Sequence, residues 1–477
     1  PGLYGLDASA IDAMPYRLAT QLLRALVGAR ATGWLTVLGY FPVAAAGISA
    51  LAGGGRWRRN AAALLMVCNP FVVERVRAGR VSFLLSVALL TWVLASALHA
   101  TRIGKPFAAR PAGWYALAMA VAPHGAWLGA AGLLAVALLP RPRRVDLVRT
   151  LLITLSAAGA YLYGVVVLLT GVRTSWVTDR DLAAYAPRPG PGGLLVTVAS
   201  LHGFWRGGVE LPRSFLGGVA GPVLLVVLLA TVAAGLVLLC RGEPALGAPV
   251  VAVTVVGLLL GAGVDGPVGG VYRWMFRTVP LFEAMREQQK WVALAMIGYA
   301  VAVGAAVQAI ADTIRANPVR FTWPPLTGTR SAGPRSTGAL GAGRRGGRAV
   351  RWAALVWAGA VACCYLAVTP TLLLGLGGSV STSRYPAAWA EADRIMGTGS
   401  GAVLFLPWHA YQPFAFTGQR TVATPAAAYF RRPVLCSDAV ELGELRSSSV
   451  SLRSAYLDRV LAAGGGGRAG RLLAPLG

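Results

Sequence analysis

Nine apolar runs, separated by short arginine-rich stretches, constrain this chain more than any other feature. They cover 31–51, 61–73, 81–100, 112–139, 147–170, 214–240, 246–262, 291–311 and 352–376. About 20 consecutive apolar residues suffice to cross a hydrocarbon core about 30 Å thick. Lipid offers the backbone no hydrogen-bond partners, so such segments must be helices, which satisfy their own amides and carbonyls. Of the 477 residues, 56% are hydrophobic and only 13% charged, against the usual quarter in soluble domains. The expected fold class is an α-helical polytopic membrane protein of about 9–10 transmembrane or partial helices, with a small extracytoplasmic α/β C-terminal region.

Two runs are irregular. Residues 61–73 are short and close on Asn69-Pro70, which predicts a partial span. Residues 112–139 carry Pro123-His124 in their middle. Proline has no N–H to donate inside a helix, so this run is expected to be two short helices meeting at the far side.

The formal net charge of +26 raises nucleic acid as a partner. The charge distribution argues against it: arginines cluster between apolar runs, and no basic stripe interleaved with aromatics occurs. Only Lys105 and Lys290 are lysines, as a high-GC genome would favour. If GRWRR (55–59) is cytoplasmic, strict alternation puts 102–110, 140–144, Arg241 and 312–351 inside too, as the positive-inside bias asks. Cys68, Cys240, Cys363, Cys364 and Cys436 form no CxxC, so zinc and disulfide frameworks find no support. The start, PGLYGLD, has no signal-peptide pattern and reads as the interior of a longer protein.

The expected domains are an extracytoplasmic amphipathic segment (1–30), a transmembrane domain (31–311), a disordered basic cytoplasmic loop (312–351), a last transmembrane helix (352–376) and an extracytoplasmic α/β cap (377–477). In the cap, SRYPAAWAEADRIM reads as an amphipathic helix, GAVLFLPW as a strand and GGGGRAG as a linker. The expected localisation is the plasma (inner) membrane of a high-GC bacterium, multi-pass, with the C-terminal region outside.

This orientation collects the unusual polar groups on the outer face. NPFVVER supplies Asn69, Glu74 and Arg75; the 174–187 loop supplies Asp179 and Asp181; SLHGFWRGGVELPR supplies His202, Trp205, Arg206 and Glu210. GVYRWMFRTVPLFEAMREQQK supplies Tyr272, Arg273, Arg277, Glu283, Arg286, Glu287 and Lys290, and LPWHAY adds Trp408, His409 and Tyr411. Arginine and lysine at a membrane edge suit a lipid-linked phosphate. Tryptophan suits a sugar face or the interfacial belt, and carboxylates suit hydroxyl recognition or general-base duty. Each group also has a plain structural alternative: snorkelling cations, local ion pairs, or, for His99 and His124, a place in the core. NPFVVER and EAMREQQK are expected on one outward cavity, with Asp179 and Asp181 at its rim and LPWH above it.

NPFVVERVRAGR, LAAYAPRPGPGGLLVTVASLHGFWRGG, MFRTVPLFEAMREQQKW and VLFLPWHAYQPFAFTGQRTVATPAAAYFRRPVLCSD occur here in order. Together they resemble GT-C-type polytopic membrane glycosyltransferase-like proteins, of the polyprenyl-phosphate-sugar-dependent, arabinofuranosyl- or mannosyltransferase-like kind. Two departures from that pattern are Arg80, where the group carries Gln, and Gln288, where it carries Pro. The resemblance implies transfer of a sugar from a polyprenyl-phosphate donor to a cell-envelope glycan or lipid on the outer face. It implies Arg75, Arg286 and Lys290 at the donor phosphate. Asn69, Glu74, Asp179, Asp181, His202, Trp205, Glu283, Glu287, Trp408 and His409 are then sugar or acceptor contacts. Asp7 and Asp12 lie nearest the group's catalytic carboxylate, whose true counterpart is expected upstream of an N-terminally truncated fragment. No cofactor or metal is assigned, with a divalent cation left open. The alternative is a non-enzymatic membrane protein: a lipid or polysaccharide transporter, an envelope scaffold or an inactive GT-C relative.

Overall fold

The computed structural model describes residues 14–104, 108–162, 178–206, 218–316, 340–377, 383–399, 401–439, 441–442, 445–446, 451–463 and 469–476. The candidate residues Asp7, Asp12 and Glu210 and most of the GGGGRAG stretch lie outside them.

The expected fold class holds: the protein is a helical polytopic membrane protein with little sheet. Among the described residues six helices are long and apolar enough to span: Pro15–Ala52, Val81–Arg102, Ala220–Gly242, Pro244–Gly261, Gln288–Ala316 and Ala349–Ala367. Shorter helices fill in between them. In chain order the bundle comprises α1 (Met14–Ala52), α2 (Arg56–Val67), α3 (Pro70–Arg77), α4 (Val81–Arg102), α5 (Ala109–Val121), α6 (Gly125–Leu138) and α7 (Arg144–Ala160). It continues with α8 (Asp179–Ala184), α9 (Gly193–Ala199), α10 (Ala220–Gly242), α11 (Pro244–Gly261), α12 (Gly269–Thr278), α13 (Val292–Ala316) and α14 (Leu340–Gly377).

α13 is the central post. Every residue from Val292 to Ala306 is buried, as an all-round apolar helix must be. Small residues let its neighbours approach backbone to backbone, the packing mode of helices in lipid. A Cβ on Gly298 would lie 1.9 Å from Thr254 Oγ1 on α11.

The irregular runs resolve as their prolines dictate. α5 and α6 form a hairpin about Pro123-His124. Asn69 both ends α2 and starts α3: its Nδ2 donates to Leu65 O (2.8 Å), while its Oδ1 accepts from Val72 N (3.1 Å). Pro70 takes the first helical position, where no donor is needed. α1 breaks at Gly28, whose φ of 84° leaves the helical region.

The bundle has two polar ends. At one, Glu243 pairs with Arg58, and Gln308 accepts from Arg58 N at 3.2 Å; Arg149 donates to Thr101 at the foot of α4. At the other end the residues 69–80, 122–125, 178–206 and 262–291 converge. The tail rests there as well. Its short strands pair as Val403–Leu404 with Val434–Leu435 in parallel, and Tyr411–Pro413 with Thr421–Ala423 antiparallel. Trp389, on the helix Ala387–Met396, packs among Phe405, Phe414, Phe416, Tyr429 and Phe430.

Candidate functional site

The site is built around a buried carboxylate. After α12 the chain makes two short 3-10 turns, Phe282–Met285 and Gln288–Trp291, before α13. These turns fold the segment inward, so that Glu287, Gln288, Gln289 and Lys290 are buried, while Glu283 stays exposed. Residues 287–290 are therefore a buried polar knot, with the half-buried Arg286 and the exposed Glu283 beside it.

Glu287 gathers three cations. Arg80 Nη2 donates to Oε1 at 2.6 Å, and Lys290 Nζ and Arg75 Nη1 stand 3.5 and 3.6 Å from Oε2. Burial alone would raise the Glu287 carboxyl; the Arg80, Lys290 and Arg75 cations overcome this and hold it well below the ordinary carboxylate range. It is thus ionised, and the cluster keeps a net positive charge.

Arg75 is 1% exposed and lies among three rings, with its guanidinium carbon 4.6 Å from the centroid of Phe204, 4.8 Å from Phe71 and 5.5 Å from Phe83. Arginine tolerates such a setting because its flat, weakly hydrated charge stacks on aromatic faces. Burial pushes its pKa down to about 10, so it remains protonated at neutral pH. Its three guanidinium nitrogens have no hydrogen-bond partner. Arg80, by contrast, has a side chain 40% exposed, and the half-buried Arg286 lies over the Tyr185 ring at 5.0 Å. Arg80 and Arg286 are thus the more exposed cations of the cluster, whereas Lys290 is buried.

A second buried carboxylate fixes the neighbouring loop. Glu74 Oε1 bonds His202 Nδ1 at 2.7 Å, and its Oε2 accepts from Phe204 N at 3.3 Å. The loop turns sharply there, through Leu201 at φ 62° and Gly203 at φ 114°. His202 Nε2 is buried without a partner. Phe204 and Trp205 continue into an aromatic cluster with Tyr185, onto which Tyr411 of the tail packs. Arg206 clamps the tail, donating to Thr421 O at 2.5 Å and lying 5.8 Å from the Tyr411 ring.

The structure thus brings NPFVVER and EAMREQQK together through Arg75–Glu287, and adds the 201–206 loop. Other expected members have different duties. Asn69 is a helix junction. Asp181 Oδ2 accepts from Thr178 N and Oγ1, both at 2.8 Å, closing the capping box of α8. Asp179 is exposed and paired with Arg277, whose hydrogen bond holds its carboxyl below the usual range. Trp408 and His409 bond within the tail, to Asp458 and Glu441, each at 2.6 Å; Tyr411 is the tail residue that reaches the cluster.

Three members escaped sequence reasoning. Arg80 entered it only as a departure from a pattern, yet it makes the shortest contact to Glu287. His124, read as a core residue, bonds Lys290 Nζ through Nε2 at 2.7 Å. Gln288 joins α8 to the 3-10 turn Gly263–Asp265 after α11: its Oε1 accepts from Val264 N (2.7 Å) and its Nε2 donates to Leu182 O (2.6 Å). Gly263, at φ 65°, leaves room for that amide. Among the described residues no three His, Cys, Asp or Glu side chains come together as a metal-ligand set.

A solved structure shares this fold. It is the single-particle cryo-EM structure of the arabinofuranosyltransferase AftD from Mycobacteria, matched with a TM-score of 0.54 and 19% sequence identity over 89% of this chain. The present chain spans only 27% of that protein. The sequence matches no protein-family model and no curated protein.

Proposed function

We propose that this protein is a membrane glycosyltransferase of the GT-C type. It takes a sugar from a polyprenyl-phosphate donor and passes it to a cell-envelope glycan or lipid at the outer face of the plasma membrane. The observation that carries the reading is the cation cluster itself. Arg75, Arg80 and Lys290 surround one carboxylate, with Arg286 beside them, at the end of a transmembrane bundle where a lipid tail can stay in the bilayer. Keeping several cations in such a place is costly, and a phosphate diester is the ligand whose charge and position match. The half-buried Tyr411 ring, resting on the buried Tyr185–Trp205 pair, suits a sugar face. The partial fold likeness to an arabinofuranosyltransferase agrees.

In this reading Arg80 and Arg286 take the phosphate oxygens, Lys290 supplies charge from behind, and Arg75 fixes Glu287. The tail lies over the pocket as an extracytoplasmic cap. The general base has to be a carboxylate other than Glu74, Asp181 and Glu287, since all three are already committed to protein partners. That commitment also favours a second reading, a relative that binds the donor without transferring the sugar.

Titration calorimetry of the full chain in nanodiscs with a polyprenyl phosphate tests donor binding. Arg80→Ala, Arg286→Ala and Lys290→Ala should each weaken it roughly ten- to a hundredfold, the worth of one charge-assisted contact. Unchanged affinity in all three variants overturns the site. Binding without turnover of a polyprenyl-phosphate sugar selects the second reading.

A further inference from the structure

A cavity of about 500 Å³ lies away from the candidate site, between α1, α4 and α5. Ala50, Trp92, Ser96, His99, Ile103 and Arg110 are among the residues lining it. Phe83, beside the cation cluster, and His99 are 16 residues apart on α4. At about 1.5 Å per residue, the cavity is roughly 24 Å away along the bundle, at its other polar end.

The lining is divided. Ala50, Trp92 and Ile103 make an apolar wall, and Trp92 is fixed by stacking on Trp114 (centroids 5.4 Å apart) and by donating to Val43 O at 3.1 Å. His99 and Arg110 sit at the polar edge, both exposed. Among the described residues neither carries an ion pair. The nearby carboxylate, Asp146, is already bound to Arg149 at 2.5 Å. Arg102, the exposed last residue of α4, adds charge to the same edge. The volume falls within the range of about 300–1,000 Å³ typical of small-molecule sites.

We propose that this cavity is a binding site for one anionic phospholipid of the adjoining leaflet, with an acyl chain against the Ala50–Trp92–Ile103 wall and the phosphate on Arg110 and His99. An amphiphilic pocket at the level of the headgroups, cationic at its mouth and apolar within, is complementary to that ligand class. A zwitterionic lipid would bring a choline cation of its own up to Arg102 and Arg110, and a free anion would leave the wall empty. The proposal rests on the transmembrane bundle alone and is independent of the donor site.

Native mass spectrometry of the full chain, released from nanodiscs of phosphatidylglycerol and phosphatidylcholine in equal parts, tests it. The unmodified protein should retain one phosphatidylglycerol in preference to phosphatidylcholine. Arg110→Gln should weaken that retention about fivefold, the usual effect of one basic residue at an anionic surface. Ala50→Trp, at an exposed position facing the cavity, should abolish it by filling the space, without touching a charge. Equal retention of both lipids, or unchanged phosphatidylglycerol retention in both variants, overturns the proposal. So does displacement of the lipid by inorganic phosphate alone, which would make the site one for a free anion.

Discussion

Replacing Glu287 by glutamine removes the single negative charge shared by Arg80, Lys290 and Arg75, at 2.6, 3.5 and 3.6 Å. At an effective dielectric constant of about 20, each contact is on the order of 5 kcal/mol of gross attraction. Desolvation of the ions offsets most of it, and loss of one partner from a buried pair typically costs about 3–5 kcal/mol. Arg80 can turn its half-open side chain to water, so about 3 kcal/mol is expected for Glu287→Gln. Unfolding of the protein in detergent, followed by tryptophan fluorescence, measures it. The carboxyl is held below its ordinary range, so its stabilisation is present above that range and fades as pH falls through it. The gap between the two proteins should therefore close on acidification. A second arm addresses function: if the cations form an anion site, a polyprenyl phosphate should stabilise Glu287→Gln more than the unmodified protein, because the ligand replaces the missing charge. A variant as stable as the parent, or equal stabilisation of both by the ligand, refutes the reasoning.

A cysteine placed at Ser336, in an otherwise cysteine-free chain, should resist an impermeant maleimide in intact cells; labelling would invert the arginine-based orientation. Gly298→Leu should destabilise by at least about 1–3 kcal/mol by forcing α11 from α13, and unaltered thermal stability would contradict their close approach. Arg75→Lys keeps the charge but loses the flat stacking on three rings, and should cost about 1–2 kcal/mol in detergent unfolding; no change would show that charge alone matters. Asp179→Asn breaks only an exposed pair and should leave unfolding unaltered, whereas a clear loss would give the Asp179–Arg277 contact a structural role.

The bundle was legible because its signals are local. Apolar run length sets the spans, Pro123 splits one run into the α5–α6 hairpin, and Asn69-Pro70 ends one helix and caps the next. The site was only half legible, because burial there is decided by residues far apart in sequence. EAMREQQK reads only as polar groups on the outer face, since nothing within it reveals that two 3-10 turns bury Glu287 to Lys290. Arg80 gives no signal beyond being a cation at the start of an apolar helix, and its partner lies 207 residues away. His124 had a usable one: a polar ring at the tip of a hairpin between two apolar helices asks for a partner at that depth. Asp179 and Asp181 carry no decisive signal, because acidic residues on a loop fit capping and surface pairing as well as they fit ligand binding.

Arg75 explains why these separate segments close on one point. Its guanidinium touches Phe71 from α3, Phe83 from α4 and Phe204 from the loop that Glu74 and His202 hold, and it faces Glu287 from the turn before α13. Four stretches of chain thus share one buried cation, and none can shift without exposing an unpaired charge. That makes Arg75 a poor ligand contact, since it is already enclosed, and a good organiser. It fixes the carboxylate against which Arg80 and Lys290 are set, leaving Arg80 and Arg286 at the open side. In the proposed reading, the enclosed cation shapes the site and the more open Arg80 and Arg286 would receive the ligand, the division a preorganised anion site calls for. A bundle that merely neutralised one stray glutamate would need a single partner and would have no reason to keep three.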